Sequence, residues 1–571
     1  GNEVPGNTAK VIILSDRTVT LTGNINTTDI DLTIEQGGVL DQAGYRFTNT
    51  LAKLDGQGTL RLSSVSFPDA VTNTFINAGG GTTEYYNSSD FTIPFSPSSY
   101  NNLIINCTGR IATLLSDLTL YGNLDVKSGN FRINDNTSKT TLSLTINGNV
   151  TIDNGAYLTV GNGVTNKAIG SAGSGGSAPF LNYYLNFHTV IIRGDFTNNG
   201  TVRLTNLAYP LYTSFPPVSA GPTSGAASVY FQGAADNTLT CNGTTDFYNL
   251  IVNKGTDQTY KLTINSSEYS NFRLFGANSL AAQSVSQDPL LKKALWIHTG
   301  TLVLKGKLII PSLTEGTAAN AHYYIPSNGA LVTDGIDVVI FTTADDYREI
   351  NTSYGVSAPN NSTIGITTGG NSSLYVFGKL QINNGILSTR ESGGIVTSST
   401  ASGQIIINGG TVDAKQMLGS TGSASYTQTG GLFILRGRLQ RSPVSYATIA
   451  DITDISNASL GTSRVDNGIN PSFGSFNLEN PANIYSVSGG IIRIYDVTLN
   501  TGGKAFDVKS SLSNINVTGG ALEIIPVTGT ELPDAATFLI YSNAPVYDLT
   551  IDNLSSSSVT GLSTALDSLM I

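Results

Sequence analysis

The chain has 571 residues, a formal net charge of −10 and a pI near 4.8, and only 12% of its residues are Asp, Glu, Lys or Arg. Binding to nucleic acid requires a basic surface, so this acidic balance argues against a nucleic-acid partner. No run approaches about 18 consecutive apolar residues, so the sequence predicts no membrane-spanning helix and no membrane insertion.

The composition favours β-strands throughout. Glycine is abundant, with 62 residues, and Ser, Thr and Asn separate short runs of Val, Ile and Leu. Thr and aromatic side chains pack well on a pleated surface. The only helical candidate of any length is DPLLKKAL at residues 288–295, and it is short. The sequence therefore predicts an all-β protein.

In chain order, residues 1–75 contain DLTIEQGGVLDQAGYRF and LDGQGTLRL and are interpreted as opening rungs that cap a repetitive array. Residues 76–275 and 276–571 then form two stretches of that array. Two segments interrupt the first stretch: residues 168–180 are rich in Gly and Ser, and residues 209–225 carry four prolines. Both are predicted to be long loops that leave the rungs, rather than linkers between domains.

A short pattern recurs from residue 118 onwards: apolar, any, apolar, any, Gly, polar, apolar. It occurs as LTLYGNL, LTINGNV, VIIRGDF, LVLKGKL, LYVFGKL and FILRGRL, centred on Gly122, Gly148, Gly194, Gly306, Gly378 and Gly437. A second turn often follows, at Ser128-Gly129, Asn154-Gly155, Asn199-Gly200 and Asn384-Gly385. Alternation at period two marks a strand with one buried face. The glycine is expected to supply a positive φ or a bulge at a corner.

Such short strands cannot bury an apolar face alone, but stacking one turn of chain on the next, about 4.8 Å apart, buries all of them. The pattern therefore predicts a right-handed parallel β-helix (β-solenoid) with loop insertions between rungs. A string of immunoglobulin-like sandwiches is the alternative. Sandwich strands usually run longer, with a domain about every 100 residues, whereas corners come faster here and no such unit repeats.

The last third of the chain carries paired glycines, in IIINGGTV, YTQTGGLF, YSVSGGII and INVTGGAL. The step from Gly409 to Gly430 is 21 residues, about one rung, and the next steps of 59 and 30 residues predict loops of varying length.

A strand with an aromatic lead also recurs, in YNNLIIN from Tyr100, YNLIVN from Tyr248 and YDLTID from Tyr547. Aligning the last of these with the first matches Leu549 and Ile551 to Leu103 and Ile105. On that alignment the array continues past Ile571 into a further rung.

Because parallel β-helices include polysaccharide lyases and hydrolases, the acidic residues are candidates for a catalytic site. Glycoside hydrolysis requires two carboxylates a few ångströms apart in a cleft. The best cluster is Asp345-Asp346 with Glu349 nearby. Adjacent residues on a strand point to opposite faces, so these carboxylates cooperate only in a turn. A solvated acidic loop is the simpler interpretation.

Other chemistry-bearing residues are isolated. His188, His298 and His322 are interpreted as packed or edge histidines. Cys107 and Cys241, 134 positions apart, are either one disulfide or two buried thiols and lack metal-ligand spacing.

Two further motifs are weak. Asp135 in RINDNTSK is at most a fragment of a calcium loop, and whether calcium is required stays open. Arg193 belongs to an Arg-Gly-Asp triplet that lies at a repeat corner. No nucleophile elbow, Walker loop or zinc motif is present. The sequence thus predicts no catalytic, cofactor-binding or metal-binding residues, and no cofactor.

The segments YNNLIIN and FYNLIVN, the step into LTLYGNLDVKSGNF and the unit FTNNGTVRLTN carry a resemblance. They resemble the large β-repeat surface proteins of gliding Bacteroidetes that the type IX secretion system exports. The resemblance covers most of the chain and is one of repeat style. It implies an extracellular passenger, anchored on the outer membrane or shed, with its sorting signal in a separate domain expected beyond Ile571.

The resemblance also implies partners and a role. They are the type IX machinery during export, and surface glycans or other cell-surface proteins afterwards, in adhesion, gliding or biofilm contact. No functional residues are carried over. The leading hypothesis is therefore a non-catalytic surface rod, and not an enzyme. The alternative is a polysaccharide-degrading β-helix enzyme using loops around Asp345 and Glu349. An enzyme would concentrate carboxylates, a basic residue and aromatics on one patch of consecutive rungs, whereas a rod would spread them.

Overall fold

The chain folds as a parallel β-helix in a computed structural model. The structure describes residues 4–64, 66–135, 140–161, 166–168, 183–185, 188–205, 226–274, 295–310, 323–341, 373–389, 394–397, 402–419, 422–435, 439–441, 460–464, 475–495, 504–525, 537–551 and 559–563. Among these residues there is no α-helix, and the only helical turns are the 3-10 turns Tyr269–Asn271 and Leu512–Asn514. The predicted all-β parallel coil is therefore confirmed.

Each turn of the coil contributes up to three strands, one to each of three faces, and strands on the same face pair in parallel from turn to turn. The first face contains Lys10–Ile13, Asp31–Ile34, Leu51–Gly56, Ala70–Asn73, Ser99–Tyr100, Leu118–Leu120, Ser143–Ile146, His188–Ile192, Ala227–Gly233, Asn249–Lys254, Tyr323–Ile325, Leu374–Val376, Ile395–Thr397, Met417–Leu418, Phe476–Leu478, Lys504–Val508, Thr537–Ser542 and Val559–Ser563. The second face contains Thr18–Thr20, Val39–Asp41, Thr59–Leu62, Thr82–Tyr85, Val150–Ile152, Phe196–Asn198, Asn237–Cys241, Lys261–Ser266, Gly329–Thr333, Lys379–Ile382 and Gln404–Ile407.

The third face contains Phe91–Thr92, Tyr157–Val160, Thr201–Arg203, Thr244–Phe247, Phe272–Leu274, Leu308–Ile310, Val338–Phe341, Ile386–Ser388, Thr411–Ala414 and Asp548–Ile551. Some strands run through a corner and belong to two faces: Asn102–Leu114, Leu124–Ile133, Leu295–Gly306, Ser425–Leu435, Ile484–Ile494 and Ile515–Ile524. Two antiparallel pairs lie outside the coil ladders: Asn166–Ala168 with Tyr183–Leu185, and Leu439–Arg441 with Leu460–Arg464.

The second face is the continuous element of the coil. Its strands pair without interruption from Thr18–Thr20 to Ile515–Ile524. At a strand spacing of about 4.8 Å, this ladder is roughly 80 Å long. It passes through both proposed boundaries, 75/76 and 275/276, while the division into three regions itself stays a prediction.

The turn length varies along this face. Leu103 pairs with Leu124, 21 residues later, whereas Val150 pairs with Phe196, 46 residues later. The longer steps contain the predicted insertions. The cores of the two predicted loops, residues 169–180 and 209–225, the helical candidate at 288–294 and Gly437 lie outside the described residues.

Alternation along each strand builds the core. In Ser143–Ile146, Leu144 and Ile146 are buried while the two polar residues point outwards. Equivalent positions stack in columns, because parallel pairing in register places like residues above one another. One column contains Leu103, Leu124, Val150, Phe196, Leu239 and Ile264, all fully buried or nearly so. Each such side chain stabilises the fold by about 1.5–3 kcal/mol relative to exposure.

Glycine at the corner from the first to the second face is required by close packing of successive turns. Gly148 donates its N–H to Gly122 O at 2.9 Å, and a Cβ on Gly148 would lie 2.6 Å from the carbonyl carbon of Gly122. A Cβ on Gly194 would in turn lie 2.3 Å from Gly148 O. None of these three glycines has a positive φ, so the first of the two expected causes, a positive φ or a bulge, does not apply at this corner. Gly378 occupies the same corner, whereas Gly306 lies at the next corner.

At the corner from the second to the third face, several glycines have a positive φ. At Gly155 φ is +80°, and the second glycine of each described pair also has a positive φ. Those glycines are Gly410, Gly431, Gly490 and Gly520. An L-residue with a Cβ disfavours this region, so backbone conformation selects glycine at these positions. Gly200, at the same corner, has no positive φ, and close packing selects it instead, because its Cβ would lie 2.4 Å from Ala156 O.

The polar residue after the corner glycine continues a hydrogen-bond ladder. Asn123 N–H donates to Asn102 Oδ1 at 2.9 Å, and Asn149 N–H donates to Asn123 Oδ1 at 2.8 Å. Asp195 N–H then donates to Asn149 Oδ1 at 2.9 Å. Each side chain thus satisfies a backbone donor of the next turn, which explains the Asn or Asp that follows the glycine in LTLYGNL, LTINGNV and VIIRGDF.

The three aromatic-led strands are not structural equivalents, so their alignment is wrong. Leu103 lies on the second face, Leu250 on the first and Leu549 on the third. An aromatic residue before an alternating strand suits any face, because all three bury the same period-two pattern.

Candidate functional site

Several charged residues of the described rungs form ion pairs between successive turns. Near the N-terminal end, Arg61 Nη1 lies 3.0 Å from Asp41 Oδ2, and Arg61 Nε lies 2.9 Å from Glu84 Oε2. The three residues occupy adjacent positions on neighbouring second-face strands. Further inter-turn pairs are Lys305–Asp334, Lys307–Glu268, Arg493–Glu523 and Lys509–Glu479.

The most buried of these carboxylates is Asp246, on the third face. Its side chain is 1% exposed and accepts two hydrogen bonds of 2.7 Å from the guanidinium of Arg273 on the next turn. Arg203 on the preceding turn adds a contact of 3.2 Å. A carboxylate held by a bidentate guanidinium is oriented and neutralised, so this cluster ties three turns together.

His188 is a packed core histidine. It is fully buried, and its Nδ1 accepts the Leu142 N–H at 2.9 Å while its Nε2 lies 3.3 Å from Asn134 Nδ2. Burial lowers the pKa of His188 to about 4. The imidazole is therefore neutral near pH 7 and structural, as the simpler interpretation of the sequence predicts.

Both cysteines are free, buried thiols. Burial raises the pKa of Cys107 to about 11 and that of Cys241 to about 12, so neither is a ready nucleophile at neutral pH. The Arg-Gly-Asp triplet lies at a corner, where Arg193 donates to Asn147 and Asp195 Oδ1 accepts the Thr238 N–H at 2.9 Å. The triplet is thus part of the corner ladder.

The remaining candidate residues from the sequence either lie outside the described residues or are far apart from one another. Asp345, Asp346, Glu349 and His322 lie outside the described residues. Asp135 ends a described segment, with its N–H donating to Asn134 Oδ1 at 2.9 Å. His298 is exposed on the first face, with Nδ1 3.3 Å from Asn253 Oδ1. The structure does not bring His188 and His298 together.

A break in the first-face ladder lies beside His298. The strand Leu295–Gly306 pairs with Asn249–Lys254 on one side, and Tyr323–Ile325 pairs with Leu374–Val376 on the other. No ladder joins the first-face part of Leu295–Gly306 to Tyr323–Ile325 among the described pairings. Their turns do pair at the next corner, where Gly300 faces Gly329. The two turns therefore diverge along the first face.

The break contains a pocket of about 130 Å³. It is lined by Trp296, Ile297, His298, Tyr323, Tyr324 and Pro326. The buried hydroxyl of Tyr323 donates to Leu295 O at 3.0 Å and bridges the two turns at the inner end. At the outer end Tyr324 is 42% exposed. The pocket is thus aromatic, open to solvent and fixed at its base.

The aromatic wall of the pocket continues along the first face. The Tyr324 ring stacks on Tyr375, with centroids 5.1 Å apart, and lies 5.9 Å from Phe377 at an interplanar angle of 7°. Sequence reasoning missed this group. The available signals were the chain's single tryptophan, two residues before His298, and the aromatic outward positions of LYVFGKL.

The part of the chain that the structure describes brings no three His, Cys, Asp or Glu side chains together as a metal-binding group. Within that same part, no helix is long and apolar enough to cross a membrane. No family model, curated protein or solved structure matches this chain.

Proposed function

We propose that the chain is a non-catalytic, extracellular surface rod that acts in attachment, as an adhesin-like protein does. The observation that carries this proposal is the way the charged side chains pair and are distributed over the coil. The inter-turn ion pairs of the described rungs are spread over all three faces and over both halves of the coil, and each of them joins neighbouring turns. Charges paired in this way stabilise a long coil, and their spread over the coil differs from the single concentrated patch expected of an enzyme.

The continuous second-face ladder supports the same proposal. A coil in which each turn contacts only its neighbours extends without a compact core and presents side chains along its whole length. Export by a type IX machinery and a place on the surface of a gliding bacterium belong to this proposal as its cellular setting.

Attachment is tested with beads that carry the purified chain at a fixed density. The beads flow over surfaces coated with bacterial polysaccharide, with host-type glycoprotein or with bare glass, and the retained fraction is counted. Retention well above that of albumin-coated beads on at least one surface is expected. Retention equal to albumin on every surface would remove the basis for an attachment function.

A further inference from the structure

The pocket in the first-face break has the features of a binding site for a small ligand. Ligand pockets are concave and mainly apolar, with a few polar groups that fix orientation. Here Trp296, Tyr324 and Pro326 supply flat apolar surfaces, and His298 supplies a polar edge. Trp and Tyr are also the residue types that contribute most to binding energy at interfaces.

Contacts within the chain hold several side chains of the pocket in place. Tyr323 is 1% exposed and is held by its hydrogen bond to Leu295 O, and Tyr324 is stacked on Tyr375. Thr299 Oγ1 donates to Asn253 Oδ1 at 2.9 Å, next to the Asn253 contact with His298. Pre-ordered side chains lose little conformational entropy on binding, which favours affinity.

The lack of acidic and strongly basic side chains among the six lining residues indicates a neutral ligand. None of the six lining residues is Asp, Glu, Lys or Arg. The whole chain carries a net charge of −10, which disfavours an anionic ligand. A neutral molecule with one apolar face and a polar rim fits both facts.

The size and shape of the pocket narrow the class further. A volume of about 130 Å³ holds roughly four water molecules, so a ligand enters with about one ring. A pyranose ring presents C–H bonds on its face and hydroxyl groups at its rim. The C–H face suits the electron-rich face of an aromatic ring, and the rim hydroxyls suit an imidazole.

We infer that this pocket, formed by Trp296, His298 and Tyr324, binds one neutral pyranose residue of a surface glycan. The inference rests on the proposed attachment function and names the ligand class for it. The neighbouring stack of Tyr375 and Phe377 extends the aromatic surface, so adjoining residues of a longer glycan lie along the first face.

The chain's single tryptophan makes the test direct, because tryptophan fluorescence reports on this pocket alone. The full chain is titrated with the methyl glycosides of glucose, galactose, mannose and N-acetylglucosamine, and with glucuronic acid as the charged comparison. A saturable change in tryptophan emission is expected with at least one neutral glycoside and none with glucuronic acid. No change with any neutral glycoside would overturn the inference.

Variants locate the site. Tyr324→Ala keeps the tryptophan reporter and is expected to weaken binding at least about tenfold. Tyr121→Ala is the matched control, because Tyr121 is also 42% exposed and lies at a distant corner. His298→Ala provides a second exposed variant that tests the polar edge. Equal affinity in the Tyr324 and His298 variants and the control would place the sugar elsewhere and overturn the inference.

The bead assay separates this inference from the function on which it rests. Beads that are retained although the pocket ignores every sugar would refute the pocket and leave attachment standing. Beads that are not retained on any surface would refute attachment itself, even if a free glycoside altered the emission. A response to extended peptides but not to glycosides would also overturn the inference.

Discussion

Glycine is required at the corner from the first to the second face because a carbonyl group of the preceding turn lies too close for a side chain. The backbone angles of the glycine itself do not require it. The Gly148 N–H is hydrogen-bonded to Gly122 O, and this bond holds the two turns too close for a side chain. At the next corner the positive φ of Gly155 makes the selection, and nothing lies within 4 Å of its Cβ position. The same residue type thus answers two different constraints.

Gly148→Ala separates these constraints. We expect it to destabilise its turns by about 1–3 kcal/mol, because the added methyl group overpacks backbone that cannot move independently. Gly23→Ala is the control, since Gly23 has no positive φ and nothing within 4 Å, and a change within about 0.5 kcal/mol is expected. Hydrogen exchange of the flanking amides measures both. Equal effects of the two substitutions would contradict steric selection at the corner.

His188 makes the local stability depend on pH. Its pKa is near 4 in the folded chain and about 6.5 in an unfolded one, so the unfolded state binds the proton first as the pH falls. Stability is full above about pH 6.5 and is lost progressively towards pH 4, by about 2 kcal/mol between pH 7 and pH 5. A protonated ring also cannot accept the Leu142 N–H at Nδ1.

Exchange of the Leu142 amide, corrected for intrinsic rate, measures this dependence. His188→Gln keeps an acceptor but removes the titration, so its protection is expected to stay constant over the same pH range. An unchanged pH dependence in that variant would assign the effect to other groups.

At the scale of the element, strands are held to their neighbours by apolar columns inside and charge ladders outside. Asp246→Ala is expected to cost about 3 kcal/mol, because it leaves the guanidinium of Arg273 without its bidentate partner. Arg203 is 56% exposed, so Arg203→Ala is expected to cost less than about 1 kcal/mol. Thermal unfolding and local hydrogen exchange compare the two. A larger cost for Arg203 would contradict this ordering.

The positions of strands could be predicted from the sequence because alternation and corner glycines are local signals. Leu144 and Ile146 were thus correctly assigned to a buried face. The assignment of a strand to one of three faces was not accessible, because every face buries the same period-two pattern. This is why Leu549 was wrongly matched to Leu103.

The pocket could not be predicted from the sequence, for a related reason. The two turns pair where Gly300 faces Gly329 but diverge along the first face, and this is a property of pairing between residues far apart in sequence. The sequence could mark Trp296 as unusual, but not that Tyr324 faces it across a break in the ladder.

At the scale of the whole molecule, the uninterrupted second-face ladder makes the coil one long body, and the insertions lengthen turns without breaking it. Stability in such a body is a sum over neighbouring turns, so damage at one turn is expected to stay local. A long body of this kind suits a role that depends on reach and on repeated contact with a surface, as attachment does.

The non-catalytic character of the proposed rod is tested most directly by measuring soluble sugar released from a panel of immobilised acidic and neutral polysaccharides incubated with the purified chain. No release above a heat-denatured sample is predicted on any member of the panel. Sustained release that Asp346→Asn abolishes would contradict the account and establish the chain as a polysaccharide-degrading enzyme.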